Sequence, residues 1–380
     1  MDAIYLDHAA TTPLRDEVFR AMLPFLRDHW GNASSVHARG RAARHAVETS
    51  RERIAAMLGV EPSEVVFTSG GTESNNTVIR TGAAGMVTSR TEHDAVLAPV
   101  ERLSRSGTHV RFADPGAGAR LDLTALAALA RPGDLLSLMH VNNETGARNS
   151  LDASPAGLPA GCMVHSDMVQ SAAWYPLKPL VAECDFVTLS AHKLGGPKGA
   201  GVLVARRNGW FEPLVVGGGQ ERDRRSGTEN VAAIVGMAEA LDRAQVDVSG
   251  TARRIGVLRE ALWSGLYAEL GNEVERITPH DPALCAPHIL QVLTFAQDGR
   301  GLDGEMLLLG LDMAGVQVSA GSACSSGSLK PSHVLAALGI TGDKARGVVR
   351  FSLGHATTAE EIDLAVDRTV AVIRRMQRQA

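Results

Sequence analysis

A lysine that follows an apolar run and is flanked by glycines and a proline can do chemistry. Lys193 stands in Ser190-Ala191-His192-Lys193-Leu194-Gly195-Gly196-Pro197-Lys198-Gly199, directly after the run DFVTLS. Burial lowers an amine's pKa, and an amine discharged in that way can form a Schiff base. By itself Lys193 would also fit a solvated surface position. A second pattern is Gly70-Gly71-Thr72-Glu73-Ser74-Asn75-Asn76, glycines running into the start of a helix. Unpaired backbone N–H groups and the helix dipole at such a start favour a phosphate, and Thr72 adds a hydroxyl donor. An ordinary strand-to-helix turn capped by Thr72 is the plainer alternative. The string is neither G-x-G-x-x-G nor G-x-x-x-x-G-K-[ST], so the dinucleotide and nucleoside-triphosphate fingerprints are absent. His93, in Thr91-Glu92-His93, offers a flat ring, and Asp167 offers a carboxylate with Gln170 three residues on. Asn142-Asn143-Glu144-Thr145-Gly146 reads as a polar turn.

Each of these residues follows a short apolar or β-branched run. Glu64–Ser69, Met86–Ser89, His109–Ala113, Leu135–Val141, Met163–Asp167, Asp185–Ser190 and Gly201–Ala205 predict strands, mostly covered on both faces. Asp94–Ser106 and Leu123–Ala130 carry helical spacing between them. That alternation predicts an α/β domain with a mainly parallel sheet flanked by helices, whose ligands sit beyond the carboxyl ends of the strands. After about Asn230 the texture changes. Asn230–Val246 and Thr251–Leu270 predict helices, and Ile289–Phe295, Val316–Ser319 and Val348–Leu353 predict strands. Thr358–Arg378 predicts a last helix, with Glu360 and Glu361 in its first turn and Arg374, Arg375 and Arg378 near its end, complementing the helix dipole. The expected division is a large α/β domain over 14–248 and a smaller α+β domain from 1–13 and 249–380.

An anion cradle, a carboxylate, a stacking ring and a desolvated amine at strand ends form the set that pyridoxal phosphate needs. The amine binds the aldehyde, the cradle binds the phosphate and the acid keeps the ring nitrogen protonated. Nine strings in order resemble the cysteine desulfurases of the NifS/IscS kind, in the class V branch of fold-type I pyridoxal-phosphate enzymes. They are YLDHAATTP (Tyr5–Pro13), FTSGGTESN (Phe67–Asn75), TEHDAV (Thr91–Val96), MHVNNETG (Met139–Gly146), HSDMVQ (His165–Gln170), SAHKLGGPKG (Ser190–Gly199), GGGQERDRRSGT (Gly217–Thr228), SAGSACSS (Ser319–Ser326) and RFSLG (Arg350–Gly354).

The resemblance implies pyridoxal 5'-phosphate as cofactor and Lys193 as its Schiff-base lysine. It implies that His93 stacks on the ring and moves protons, and that Asp167 pairs with the ring nitrogen. Gln170 and Asn143 would bond the ring hydroxyl, and Gly71, Thr72, Ser190 and His192 would hold the phosphate. Thr228, on the loop Arg224–Thr228, would reach the phosphate of a neighbouring subunit, which implies a homodimer; read by itself that loop is a solvated cationic hairpin. Arg350 would bind the substrate carboxylate with its planar donor fork, where a surface ion pair is the plainer reading. Cys324 lies among small residues in SAGSACSSGS, a loop composition that suggests a thiol in use. The implied reaction converts L-cysteine to L-alanine and leaves a persulfide on Cys324. Acceptor proteins in iron–sulfur cluster assembly or tRNA thiolation would then take the sulfur. An aminotransferase or selenocysteine lyase on the same fold, and a sulfur-carrier scaffold without catalysis, are the rivals; Cys324 speaks against the first and Lys193, Asp167 and His93 against the last.

Composition agrees with such an enzyme. Of 380 residues, 44% are hydrophobic and 21% charged, enough apolar material for a sizeable core. Lys+Arg 38 against Asp+Glu 42 leaves a net charge of −4, with no bulk attraction to nucleic acid. No apolar run is long enough to span a membrane, and the acidic start MDAIYLDHAATTP lacks the pattern of an export signal. Cys162, Cys184, Cys285 and Cys324 are too few for a disulfide framework and include no C-x-x-C, so a cytoplasmic location and no metal site are expected.

Overall fold

Neighbouring apolar residues on one strand face opposite layers, which explains the continuous apolar runs. Val65 and Phe67 pack into one core cluster and Val66 into another, and the same split separates Leu136 from Leu135, Val187 from Phe186, and Val204 from Leu203. The computed structural model describes residues 3–152, 157–206, 209–320 and 332–378.

The chain begins with β1 (Ile4–Tyr5), α1 (Asp16–Arg27) and α2 (Ala38–Leu58). There follow β2 (Val65–Thr68), α3 (Gly71–Ile79), β3 (Gly85–Ser89), α4 (Asp94–Arg105) and β4 (His109–Ala113). Next come α5 (Leu123–Ala127), β5 (Asp134–Ser137), β6 (Met163–Asp167), α6 (Leu177–Ala182), β7 (Phe186–Ser190) and β8 (Gly201–Ala205). Seven of these strands form one sheet in the order β2-β8-β7-β6-β5-β3-β4, in which β8 runs antiparallel to both neighbours and every other pair is parallel.

The remaining elements are α7 (Val231–Gln245), α8 (Val248–Leu270), β9 (Val274–Arg276), β10 (Ile289–Thr294) and α9 (Gly304–Met313). Then come β11 (Val316–Gln317), α10 (His333–Ala337), β12 (Val348–Ser352) and α11 (Ala359–Gln377). One face of the large sheet is covered by Val18 and Met22 of α1, Val47 and Ile54 of α2, and Ile234 and Met237 of α7. Val78 and Ile79 of α3 and Val96 and Val100 of α4 cover the other. The antiparallel sheet β12-β10-β9 packs against α8, α9 and α11 in a separate cluster. β1 pairs in parallel with β11, so the start of the chain is stitched to this second layer.

Several elements differ from their expected spans. The strand expected over Leu135–Val141 ends at Ser137, because Met139 N–H donates to the Glu92 carboxylate (2.6 Å) instead of to a neighbouring strand. Val316–Ser319 is regular only over Val316–Gln317, after which Ser319 bridges to Arg350. The helix expected from Thr251 starts at Val248, capped by Asp247 in a left-handed conformation (φ 61°) whose side chain accepts from Gly250 N–H. Among the described residues, no helix is long and apolar enough to cross a membrane.

Candidate active site

At one edge of the large sheet β2, β3, β5, β6 and β7 all end, and their following residues line a single cavity of about 310 Å³. It gathers Gly71 and Thr72 after β2, His93 after β3, Asn143 beyond β5, Asp167 and Gln170 at the end of β6, and Ser190, His192 and Lys193 at the end of β7. Arg350 reaches the same cavity from β12, across from the large sheet.

Local sequence explains how each group is held. Gly70 has φ 149°, a conformation closed to residues with a Cβ, and it turns β2 directly into α3. Opposite it, a Cβ on Gly201 would fall 2.6 Å from the Gly70 Cα, so both glycines are required for β8 to pass. The first N–H groups of α3 therefore open toward the cavity, where the helix dipole favours an anion. Asp167 is almost fully buried; its Oδ2 accepts from Asn75 Nδ2 (2.7 Å) and its Oδ1 from Val169 N–H (2.9 Å). His93 caps α4 by accepting Ala95 N–H on Nδ1 (3.0 Å), which places the proton of the neutral ring on Nε2.

Lys193 Nζ donates to the carbonyls of Ala9 (2.5 Å) and Ala10 (2.7 Å). Burial, and next the charge of Arg350, bring its pKa down to about 8, against smaller opposing pulls from Asp7 and Asp167. His192 is pushed down to about 4 by burial and by Lys193, so it is neutral; its Nδ1 pairs with Thr11 Oγ1 (3.1 Å). The Arg350 guanidinium donates through Nη1 to the Asn143 carbonyl (2.7 Å) and through Nη2 to the Asp7 carboxylate (2.8 Å). Gln170 Nε2 donates to the Ala9 carbonyl (2.8 Å), and its Oε1 pairs with His288 (3.3 Å).

A family model for class-V aminotransferases matches residues 4–365. The chain belongs to that family. Within it, the chain is 38% identical to "Cysteine desulfurase IscS" of Dictyoglomus turgidum, over 98% of this chain and 95% of that protein. It is 39% identical to "IscS-like cysteine desulfurase" of Mycobacterium tuberculosis, over 99% of this chain and 98% of that protein. Among solved structures, a NifS-like protein superposes with a TM-score of 0.87 at 34% identity, covering 98% of this chain and 100% of that one. A structure described as SspA in complex with cysteine gives 0.78 at 30% identity, covering 93% of this chain and 99% of that one.

The residues present fit the cofactor this family uses. The donor set of the cavity, an anion-binding helix start, a carboxylate held by two donors and an amine with a lowered pKa, matches the phosphate, ring nitrogen and aldehyde of pyridoxal phosphate. Thr228 is exposed on its loop and does not line the cavity of its own chain. Cys324 lies outside the described residues. The described residues on either side of it are anchored at the site: Ser319 exchanges backbone hydrogen bonds with Arg350, and Ser332 Oγ donates to Glu144 (2.6 Å). The other three cysteines, Cys162, Cys184 and Cys285, are free thiols. Among the described residues, no group of His, Cys, Asp and Glu could hold a metal ion.

Sequence reasoning missed several groups. Asp7, Ala9 and Ala10 belong to the string YLDHAATTP, which was recognisable as a motif but named no site residue; two of the three act through backbone carbonyls. Asn75 lies in FTSGGTESN and holds Asp167. Glu92, next to His93, is fully enclosed and held well above the usual carboxylate range by burial. Glu144 is raised as well, with burial as the main cause.

Proposed function

We propose that the protein is a cysteine desulfurase that works with pyridoxal 5'-phosphate, taking sulfur from L-cysteine and releasing L-alanine. The observation that carries this reading is the meeting of Lys193, Asp167, the start of α3 and Arg350 in one cavity. When bound, pyridoxal phosphate supplies an electron sink for the pair left at the substrate's Cα. Lys193 would hold it through Nζ, Asp167 would pair with its ring nitrogen, and Gly71, Thr72, Ser190 and His192 would hold its phosphate. His93 would lie against its ring, and Gln170 and Asn143 would meet its ring hydroxyl.

Arg350 presents a planar donor fork to the α-carboxylate of L-cysteine. With its pKa lowered to about 8, Lys193 Nζ has a free-amine fraction of roughly a tenth at pH 7, far more than an ordinary lysine, and that fraction can take the Cα proton. The Cys324 thiolate attacks the substrate sulfur, forming an S–S bond as the substrate's C–S bond breaks. The electron pair of the C–S bond goes to carbon, where a proton completes the methyl group of alanine. In sum, L-cysteine and a thiol become L-alanine and a persulfide. The anchoring of Ser319 and Ser332 at Arg350 and Glu144 supports the assignment of Cys324 to this step.

The active unit is a homodimer in this reading, with Thr228 reaching the phosphate of the second copy. Within its own chain, Arg225 of the same loop binds Glu73 in the first turn of α3 through Nε (2.9 Å). The sulfur goes on to an acceptor protein of iron–sulfur cluster assembly or tRNA thiolation, in the cytoplasm. The large domain spans 14–248 and the small domain the rest.

Incubation with L-cysteine and a thiol reductant tests the activity. Alanine and sulfide are expected in equal amounts from the wild type, and Cys324→Ser should keep the cofactor's absorbance while forming no persulfide. A keto acid in place of alanine, or wild-type sulfide release from Cys324→Ser, would defeat the reading.

A further inference from the structure

Asp7 lies in the turn after β1, and the reaction as described gives it no part. Its carboxylate nevertheless accepts from Nη2 of Arg350 at 2.8 Å, with side-chain exposures of 21% and 4% respectively, so the pair is largely dry. The position of Asp7 is fixed from several sides. It bridges to Ser352 on β12, two residues beyond Arg350, and its carbonyl accepts from Ala10 N–H (3.0 Å) and from the Tyr5 hydroxyl (3.1 Å). The next residues of the same turn, Ala9 and Ala10, hold Lys193 by their carbonyls. One short segment therefore grips both cations of the cavity.

A guanidinium withdrawn from water requires a counter-ion, and a single charged hydrogen bond also sets its direction. The Asn143 carbonyl takes the other arm of Arg350 but brings no charge. Lys193 faces Arg350, Asp7 and Asp167, while its neighbours His192 and His288 are both neutral because burial lowers them. Of the two carboxylates facing that amine, only Asp7 is bonded to Arg350.

We propose that Asp7 is a positioning residue of the desulfuration site: its carboxylate aims the Arg350 guanidinium at the incoming α-carboxylate and offsets that cation's charge at Lys193. The inference rests on Arg350 as the carboxylate receptor and Lys193 as the cofactor lysine. It adds a charge outside the cofactor's own contacts that tunes both.

Asp7→Asn and Asp7→Ala separate the two effects. Asparagine keeps an acceptor for Nη2 and loses the charge; alanine loses both. Two readouts besides turnover are needed. The first is the midpoint pH of Lys193, followed by amine-reagent labelling of the cofactor-free protein with mass-spectrometric mapping. The second is the affinity of the loaded enzyme for S-methyl-L-cysteine, a thioether chosen as a non-desulfurated probe, read from the visible spectrum. Loss of a nearby carboxylate disfavours the ammonium form, so both variants should shift the Lys193 midpoint down by roughly half a unit or more. Affinity should stay within about threefold of wild type in Asp7→Asn and fall at least about tenfold in Asp7→Ala. An unmoved midpoint in Asp7→Asn overturns the proposal even if the alanine variant fails to fold. So does wild-type affinity in a folded Asp7→Ala. Arg350→Ala is the control: if it binds S-methyl-L-cysteine as the wild type does, the carboxylate-receptor reading has failed, whereas an effect there with none in the Asp7 variants sinks the Asp7 role alone.

Discussion

Asp167 would have little value as a ring-nitrogen partner if it could turn away, and Asn75 prevents that. The amide at 2.7 Å and the Val169 N–H at 2.9 Å hold one oxygen each. Asn75→Ala should leave Asp167 with one donor and weaken cofactor loading by about tenfold, the equivalent of roughly 1.5 kcal/mol for a hydrogen bond to a charged group. A loading titration followed by absorbance gives the answer, and an unchanged isotherm would show that Asn75 only fills space. Asp167→Asn keeps the shape and removes the charge, so it should reduce turnover far more than loading. At this scale the sequence was informative where the side chain itself carries the chemistry. Lys193, Gly71, Asp167 and Arg350 stand in strings whose residue types announce an amine, an anion cradle, an acid and a donor fork. Ala9 and Ala10 were silent because a carbonyl belongs to every residue. Asn75 was unreadable for another reason: its partner is 92 residues away and only the packing of α3 on β6 brings the two together.

The loop that carries Thr228 depends on an unusual turn before it. Glu221, Arg222 and Asp223 adopt φ of 50°, 60° and 64°, and three successive left-handed residues with side chains are unfavourable by about 1–2 kcal/mol each. Glu221 offsets this. Its carboxylate is buried, binds Arg51 of α2 through both oxygens (2.7 and 2.8 Å) and accepts Phe67 N–H of β2 (2.9 Å). Glu221→Gln would leave Arg51 with the half-exposed Glu48 carboxylate (3.2 Å) as its remaining anionic partner, which should reduce stability by about 2 kcal/mol in urea unfolding. If the turn presents Thr228 to a second copy, cofactor loading should fall too; loading that stays normal in the destabilised protein would detach the turn from the site. None of this strain was legible, since Glu, Arg and Asp give no hint of a left-handed turn, and the loop after it, Arg224–Thr228, reads by itself as a cationic hairpin. Strands buried on both faces were legible because they are short apolar runs. α2 was not: its 21 residues include Arg39, Arg41, Arg44, Arg51 and Arg53, and its buried face is made largely of small residues such as Gly40, Ala43 and Ala55.

Across the whole molecule, the same sheet-end architecture that hides the site also hides histidines. Burial pushes His140 and His165 down to about 3, and His288 lower than its ordinary range. His8 and His192 are brought to about 4, with burial again the main cause. The unfolded chain takes up these protons near its ordinary pKa of about 6.5, whereas the folded chain refuses them until pH 4 or 3. Their contribution to stability is therefore fully present above about pH 6.5 and is lost as the pH falls below it. Glu92 and Glu144 act in the opposite sense. Their raised folded pKa values are a cost above the ordinary carboxylate range, and acid relieves it. The histidines outnumber them, so net destabilisation is expected on going from pH 7.5 to 5. At pH 5, His140 and His165 alone should each remove about 2 kcal/mol, from roughly 1.4 kcal/mol per unit over about 1.5 units. Urea unfolding of the cofactor-free protein at the two pH values tests this without interference from cofactor binding. The midpoint should fall steeply, and the slope of stability against pH should correspond to the uptake of at least two protons on unfolding. His165 is the informative single site because its ring is pinned on both nitrogens, by Ser137 Oγ (2.9 Å) and Thr188 Oγ1 (3.2 Å), and does not line the cavity. Replacing it with glutamine should lower stability at pH 7.5 and flatten the pH dependence by about one proton. A slope as steep as that of the wild type would mean that the acid sensitivity arises elsewhere.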